Sequence, residues 1–85
     1  MRVFELVPCN SRKSFYGKAK VVQINGESIL ISYDTGVCKI DANGNFVRMW
    51  GGYSQTTMHH INSFISYFGI PGGGKAWWDK QEVAQ

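Results

Sequence analysis

The sequence predicts an α+β domain in which a four-stranded antiparallel β-meander packs against one amphipathic helix. Three observations indicate this class: a helix pattern with both ends marked at residues 53–71, two Asn-Gly turn signals, and alternating apolar residues around those turns. The N-terminal segment is an optional fifth strand, and the C-terminal tail is expected to form a short helix. With 85 residues, the chain is expected to be a single domain (1–85) whose core spans about residues 18–70.

The helix pattern is the most completely specified part of the chain. Ser54 is a suitable N-cap, because its hydroxyl can accept a hydrogen bond from a free backbone N–H in the first turn. Gly69 is suited to the left-handed residue that ends a helix, Ile70 can fold back onto Ile65, and Pro71 prevents continuation. One apolar stripe follows the helical repeat: Met58, Ile61, Phe64, Ile65 and Phe68.

Turn signals define the strands. Asn25-Gly26 and Asn43-Gly44 are typical of two-residue hairpin loops, and Thr35-Gly36 is a weaker third turn. Two-residue loops at all three places would give one nearly pure apolar face: Val22, Ile24, Ile29, Ile31, Tyr33, Cys38, Ile40, Val47 and Met49. We expect the apolar stripe of the helix to pack against this face.

The opposite sheet face is mixed in character. It would carry Ala19, Val21, Gln23, Ser28, Leu30, Ser32, Val37, Lys39, Asp41, Phe46, Arg48 and Trp50. This face is more apolar than a solvated surface requires, so either the N-terminal strand or the tail covers it, or it is a contact surface. The tail (75–85) follows a flexible glycine joint at 72–74, and its Trp77 and Trp78 are candidates for docking onto the domain.

The composition bounds the class of protein. No stretch approaches the length of a membrane span, and the N-terminus lacks the charged-then-apolar pattern of a signal peptide, so a soluble, cytoplasmic protein is expected. Cys9 and Cys38 are expected to be thiols, with Cys38 buried in a strand, although one disulfide between them is the alternative.

Motifs for cofactor chemistry are incomplete. Residues 69–76 (GIPGGGKA) approach the phosphate-binding loop pattern, but a helix precedes them and Ala76 replaces the required hydroxyl. His59 and His60 are adjacent and therefore point about 100° apart on a helix, which does not suit shared metal ligation. We expect no metal and no cofactor.

A basic, aromatic stretch is the best candidate for nucleic-acid binding. Residues 1–20 hold five basic residues against one acidic residue, a net charge of +4, within a chain of net charge +3. The lysines and arginines would neutralise phosphates while the aromatic rings stack on bases. The candidate residues are Arg12, Lys13, Phe15, Tyr16, Lys18 and Lys20. A solvated loop leading into a lysine-protected edge strand is the alternative interpretation.

Two segments resemble a family of small uncharacterised proteins of bacteriophages and Firmicutes. They are WGGYSQTTMHHINSF (50–64) and GIPGGGKAWWD (69–79), and ISYDTGVCKID (31–41) is also similar. The shared signature consists of W-x-G-Y-S-x-T-T, an H-I/V-N helix and a K-x-x-W tail. Its positions here are Trp50, Gly52, Tyr53, Ser54, Thr56, Thr57, His60, Ile61, Asn62, Lys75 and Trp78. The resemblance covers roughly residues 28–79 and implies a phage or mobile-element accessory role without implying an activity.

The preferred hypothesis is a non-enzymatic protein that acts through protein–protein contact or self-association. Candidate contact residues lie on the mixed sheet face, at the helix start and in the tail: Leu30, Phe46, Arg48, Trp50, Tyr53, Thr56, Thr57, His60, Trp77 and Trp78. The alternative is a nucleic-acid-binding protein that uses the loop at 12–20. No set of nucleophile, base and orienting group is recognisable, so an enzyme is not expected. Only a cleft that gathers Tyr53, Thr56, Thr57 and His60 would reopen that hypothesis.

Overall fold

A computed structural model describes residues 1–8, 15 and 17–84 of the chain. Five strands come first: β1 (Arg2–Glu5), β2 (Ala19–Ile24), β3 (Glu27–Ser32), β4 (Thr35–Ile40) and β5 (Phe46–Arg48). Two helices follow: α1 (Gln55–Tyr67) and α2 (Gly74–Asp79). The strands form one antiparallel sheet in the order β1-β2-β3-β4-β5. The predicted α+β class is confirmed, and the N-terminal segment supplies the fifth strand.

The first predicted hairpin is confirmed residue by residue. Asn25 and Gly26 both have positive φ, at 54° and 81°, which is the requirement of a type I′ turn. As a consequence Ile24 pairs with Glu27 and Val22 pairs with Ile29.

The predicted register of the second hairpin is wrong. The turn lies at residues 33–34 instead of at Thr35-Gly36, because Tyr33 takes the positive φ (57°) and Ser32 pairs with Thr35. Leu30 pairs with Cys38 but Ile31 pairs with Gly36, so Val37 is an extra residue that forms a β-bulge. The bulge lets Val37 and Cys38 both be buried.

The third hairpin also departs from the prediction. Its loop is five residues long, since Ile40 pairs with Phe46. The Asp41 carboxylate accepts hydrogen bonds from the backbone N–H groups of Asn43 (3.0 Å) and Asn45 (2.9 Å). These bonds, the Asn45 bond foremost, lower the pKa of Asp41. The side chain thus organises a wider turn than Asn43-Gly44 alone would make.

These two register changes move Cys38 and Ile40 of β4 to the mixed face and Lys39 to the opposite face, whereas β2, β3 and β5 keep their predicted face assignments. Helix α1 packs against the mixed face, here called the covered face, whose buried members include Ala19, Val21, Leu30, Ser32, Cys38 and Arg48. The expectation that the helix lies on the Val22 and Ile29 side is therefore wrong. That side, here called the open face, carries Val3, Val22, Ile24, Ile29, Ile31 and Val47, together with Met49 lying beside Gly36.

Helix α1 forms as the sequence predicts. The Ser54 hydroxyl accepts from the backbone N–H of Thr57 at 3.0 Å. Gly69 has φ of 72°, and the N–H of Ile70 donates to the carbonyl of Ile65 at 2.8 Å, which is a Schellman ending. The apolar stripe of the helix faces the core, since Met58, Ile61, Phe64 and Ile65 are buried and Phe68 is half-buried.

The glycine segment is a packed turn. Gly72, Gly73 and Gly74 all have positive φ (131°, 123° and 83°), which other residues rarely adopt. A side chain at Gly72 would also clash with the indole nitrogen of Trp77. The side-chain carbonyl of Asn62, on α1, accepts from the N–H of Gly74 at 3.1 Å. This turn brings α2 and both of its tryptophans back onto the domain.

Candidate functional site

The residues predicted to bind a partner divide into a buried group and an accessible group. Leu30, Arg48, Thr57, His60 and Trp78 are all buried. Phe46, Trp50 and Trp77 are half-buried and pack against the core, whereas Tyr53 and Thr56 are exposed. The mixed sheet face is therefore covered by the two helices, and most of the predicted contact residues stabilise the fold.

Arg48 joins β5 to the C-terminal tail. Its guanidinium donates to the carbonyls of Trp50 (2.9 Å), Trp78 (2.8 Å), Gln81 (3.3 Å) and Gly52 (3.3 Å). The guanidinium carbon also lies 4.2 Å from the centre of the Trp78 ring. Backbone carbonyls thus provide its hydrogen-bond partners, which is how a buried charge is accommodated without a carboxylate.

Trp78 completes this connection. Its side chain is fully buried, and its indole N–H donates to the carbonyl of Gly52 at 2.9 Å. A side chain at Gly52 would lie 2.5 Å from the Trp50 ring. Lys75 forms an ion pair with Asp79 (2.8 Å) on the exposed side of α2. Several residues that carry the resemblance noted above therefore have a structural explanation.

A buried polar cluster lies under the first turns of α1. The Ser32 hydroxyl is 2.7 Å from Nδ1 of His60 and 3.2 Å from the Thr57 hydroxyl. All three side chains are at most 5% exposed. Phe15 packs edge-on against the His60 ring, with 4.5 Å between ring centres. Burial lowers the pKa of His60, and the charges of His59 and Lys18 act in the same direction.

Two shallow cavities flank this cluster. One of about 290 Å³ is lined by Phe15, Gln55, Thr56, His59 and His60. The other, of about 250 Å³, is lined by Ser32, Tyr33, Thr35, Val37, Trp50, Tyr53, Ser54 and Thr57. The helix start therefore does have hollows beside Tyr53, Thr56, Thr57 and His60, but these four residues are divided between two hollows. Neither of these two cavities gathers all four residues.

The chemistry of the cluster is that of a structural hydrogen-bond network. A Ser–His contact is part of many nucleophilic sites, but there the serine oxygen must reach a substrate. Ser32 is only 2% exposed and already contacts Thr57. Within the described residues, neither hydrogen bond of the cluster involves a carboxylate that would orient the His60 ring. The sequence pattern placed Ser32 on the mixed face, but its contacts with Thr57 and His60 were missed because the helix was expected on the other face.

The open face is an apolar surface that none of the described helices or loops covers. Val3, Ile24 and Met49 are 52%, 38% and 37% exposed. Val22, Ile29, Ile31 and Val47 are half-buried. None of these residues is among the side chains that pack against the buried core. Apart from Val3, the sequence pattern placed these residues on the apolar face that was expected to pack against the helix.

One ion pair crosses the open face. Nζ of Lys39 lies 2.9 Å from a carboxylate oxygen of Glu27, and both side chains are a little over one quarter exposed. Lys39 lies directly opposite both Ile29 and Val47 in the sheet. The pair therefore sits among apolar side chains, where its charges balance each other.

The candidate nucleic-acid residues are only partly described. Arg12, Lys13 and Tyr16 lie outside the described residues, as does Cys9. Phe15 is buried against His60, so its ring is not free to stack on a base. Lys18 and Lys20 are exposed, and Lys18 lies 5.9 Å from the centre of the Tyr33 ring.

The described residues show neither a metal-binding cluster nor a helix that could span a membrane. They contain no group of three or more His, Cys, Asp or Glu side chains placed to hold a metal ion. Neither described helix has the length and apolar character that a membrane crossing requires. Cys38 is a free thiol, and its burial raises its pKa far above the ordinary value.

The structure defines a small α+β protein: a five-stranded meander with both helices on one side. Comparison with protein families places it more narrowly. The chain belongs to a family of unknown function, DUF8033, whose model matches residues 4–80. No curated protein and no solved structure matches the chain.

Proposed function

We propose that this protein is a non-enzymatic binding protein that acts through protein–protein contact, and that the open face of the sheet is the contact surface. The observation that carries this proposal is the uncovered row of Val and Ile side chains across neighbouring strands. A contiguous apolar surface of this kind is typical of a site of protein contact, because exposing apolar side chains to water is unfavourable.

The surroundings of the open face support a binding role. The covered face and the tail already fill the interior, so the open-face side chains are not needed to complete the core. A sheet with one solvated face normally alternates apolar and polar residues, and Val22, Ile29 and Ile31 depart from that pattern. A partner that covers them would bury the surface that the domain leaves exposed.

The biological setting is inferred from the resemblance described above. We propose that the protein is an accessory protein of a phage or mobile element, that it acts in the bacterial cytoplasm, and that its partner is a host or phage protein or a second copy. The signature residues at the helix start and in the tail support this setting only through their sequence similarity to the family. Their contacts in the structure stabilise the fold.

Nucleic-acid binding is the alternative function, and it rests on the basic charge of residues 1–20 and on the exposure of Lys18 and Lys20. Binding of this type would weaken steeply with salt. Lys18→Ala would reduce it, whereas Lys75→Ala, which removes another exposed lysine on α2, would not. The absence of oligonucleotide binding at low salt would exclude this alternative.

Site-specific photo-crosslinking in cells that express the protein tests the proposed contact surface. A photoactivatable phenylalanine analogue at Met49 reports on the open face, and the same analogue at Ser66, exposed on the far side of α1, is the matched control. We expect covalent adducts to protein from position 49 and few from position 66. Absence of adducts at position 49, or equal yields at both positions, would contradict the proposal.

A further inference from the structure

We propose that the open face binds a second copy of this chain, so that two sheets pack face to face across a two-fold axis. This inference rests on the proposed function, because it names the partner of the same surface. Two apolar sheet faces pack about 10 Å apart with their strands nearly aligned, as in β-sandwich proteins. An isologous contact of this kind closes on itself and leaves no second surface exposed.

The charges of the open face favour a second copy of this chain over a strongly acidic or strongly basic partner. Its strand residues include two acidic side chains, Glu5 and Glu27, and two basic side chains, Lys20 and Lys39, so their sum is zero. The whole chain, in contrast, has a net charge of +3. Two copies approaching through this face therefore avoid the repulsion that their net charges create elsewhere.

The arrangement of these charges also fits self-association. Glu5 lies opposite Lys20 near the β1 end of the sheet, whereas the Lys39–Glu27 pair lies among the central and β4 residues. The apolar centre of Val22, Ile29 and Ile31 is thus bordered by charges of both signs, of which Lys39 and Glu27 form an ion pair. An apolar centre with a polar border is the usual anatomy of a protein interface.

The edges of the sheet are less suited to a contact between copies. At the β5 edge, Arg48 pairs with Val83 of the tail, and the Arg48 carbonyl accepts a hydrogen bond from the N–H of Ala84 at 2.7 Å. On the other side, β1 has only four residues and carries the charges of Arg2 and Glu5. Short, charged edges discourage strand-to-strand pairing. The broad face is therefore the surface that offers apolar contact area.

The size of the open face predicts the strength of the contact. The strands are four, six, six, six and three residues long, so at about 3.3 Å per residue and about 4.8 Å between strands the face projects to roughly 400 Å². Two such faces would bury about 800 Å², which is below the roughly 1,000 Å² of a stable specific interface and corresponds to a weak contact. We therefore expect a reversible dimer whose population depends on protein concentration.

Sedimentation equilibrium of the full chain, from about 1 μM to about 1 mM, spans the range in which weak complexes dissociate. The mass is expected to rise from one chain to two. Ile29→Glu is expected to weaken the dimer on the order of tenfold or more, because each copy would have to bury an added carboxylate. Lys39 lies opposite position 29 and can pair with that carboxylate in the monomer, so the variant is expected to fold.

Ser66→Glu is the matched control, since it adds the same charge on the exposed side of α1 and is expected to dimerise like the unsubstituted chain. Val47→Glu, also opposite Lys39, is the second open-face variant and is used if Ile29→Glu fails to fold. A chain that stays monomeric up to 1 mM, or open-face variants that dimerise as well as the control, would overturn the inference.

Crosslinking at Met49 separates this inference from the proposed function. An adduct with the mass of two chains supports both. An adduct with a different protein, together with a monomeric purified chain, overturns the second-copy inference and leaves the proposed function standing. A monomeric chain without any adduct at position 49 overturns both.

Discussion

The covered face of the sheet packs against two helices, whereas the open face contacts neither, although both faces are rich in apolar side chains. The covered face combines large side chains such as Leu30 with small or polar ones such as Ala19, Ser32 and Cys38. The open face is a more uniform row of Val and Ile. Hydrophobicity alone therefore does not decide which face receives the helix.

Shape and hydrogen bonding account for the difference. Ala19 lies opposite Ser32 across the sheet, and this pair of small residues leaves room for Thr57 and His60 of α1. Ser32 also supplies the hydrogen-bond partner that a buried histidine needs. On the open face, Lys39 and Glu27 already pair with each other, and Met49 lies beside Gly36. Neighbouring residues on opposite faces consequently provide matched tests.

The largest effect is expected in the tail, where the two adjacent tryptophans differ in burial. Trp78→Ala should lower the free energy of unfolding by about 3–5 kcal/mol, because a fully buried aromatic side chain and its hydrogen bond to Gly52 are lost. Trp77→Ala should cost roughly 1–2 kcal/mol, since this ring is half-buried. Chemical denaturation measures both. Equal costs would contradict the description of Trp78 as the residue that holds the tail.

The next largest effect is expected at β5, where Arg48 and Val47 point to opposite faces. Arg48→Met should cost about 2–4 kcal/mol, because four backbone carbonyls lose their charged donor. Val47→Ala should cost about 1 kcal/mol or less, as its side chain lies on the open face. The free energy of unfolding from denaturant titration tests this pair. A neutral Arg48→Met variant would show that the tail docks without the guanidinium.

A smaller, pH-dependent effect is expected from His60. Burial lowers its pKa below the ordinary value of 6.5, so the unfolded chain binds a proton where the folded chain does not. The free energy of unfolding is therefore not reduced by His60 above about pH 6.5, and it decreases as the pH falls below that value. Thermal unfolding between about pH 7.5 and 5.5 should show this decline.

Two glutamine variants isolate this titration. His60→Gln should remove the decline, while His59→Gln should keep most of it, because His59 is outside the hydrogen-bonded cluster. If both variants decline like the unsubstituted chain, the pH dependence arises from other groups.

Local signals predicted much of the fold. The ends of α1 and the Asn25-Gly26 turn depend on residues close in sequence, and each has the predicted backbone geometry. The next two turns were wrong because their geometry depends on distant contacts. Tyr33 adopts a positive φ that its sequence does not suggest, and the Val37 bulge is favoured by burial beneath the helix.

The candidate contact surface was harder to predict, because face assignment depends on register. A shift of one residue moves every side chain of a strand to the other side of the sheet. In β4 the shift moved Cys38 and Ile40 to the covered face and Lys39 to the open face. Arg48 and Val47 of β5 share faces with the residues that the sequence predicted, and the error there is that the helices cover the Arg48 side. The open-face residues were recognised as apolar from sequence, but their exposure was not.

The most direct test of the account compares Val21→Ala with Val22→Ala, two identical changes at neighbouring positions of β2. Val21 is fully buried on the covered face, and Val22 lies on the open face. In a solution dilute enough for the chain to be monomeric, denaturant unfolding should give a loss of about 2 kcal/mol or more for Val21→Ala and less than about 1 kcal/mol for Val22→Ala. Equal losses, or a larger loss for Val22→Ala, would contradict the assignment of the two faces.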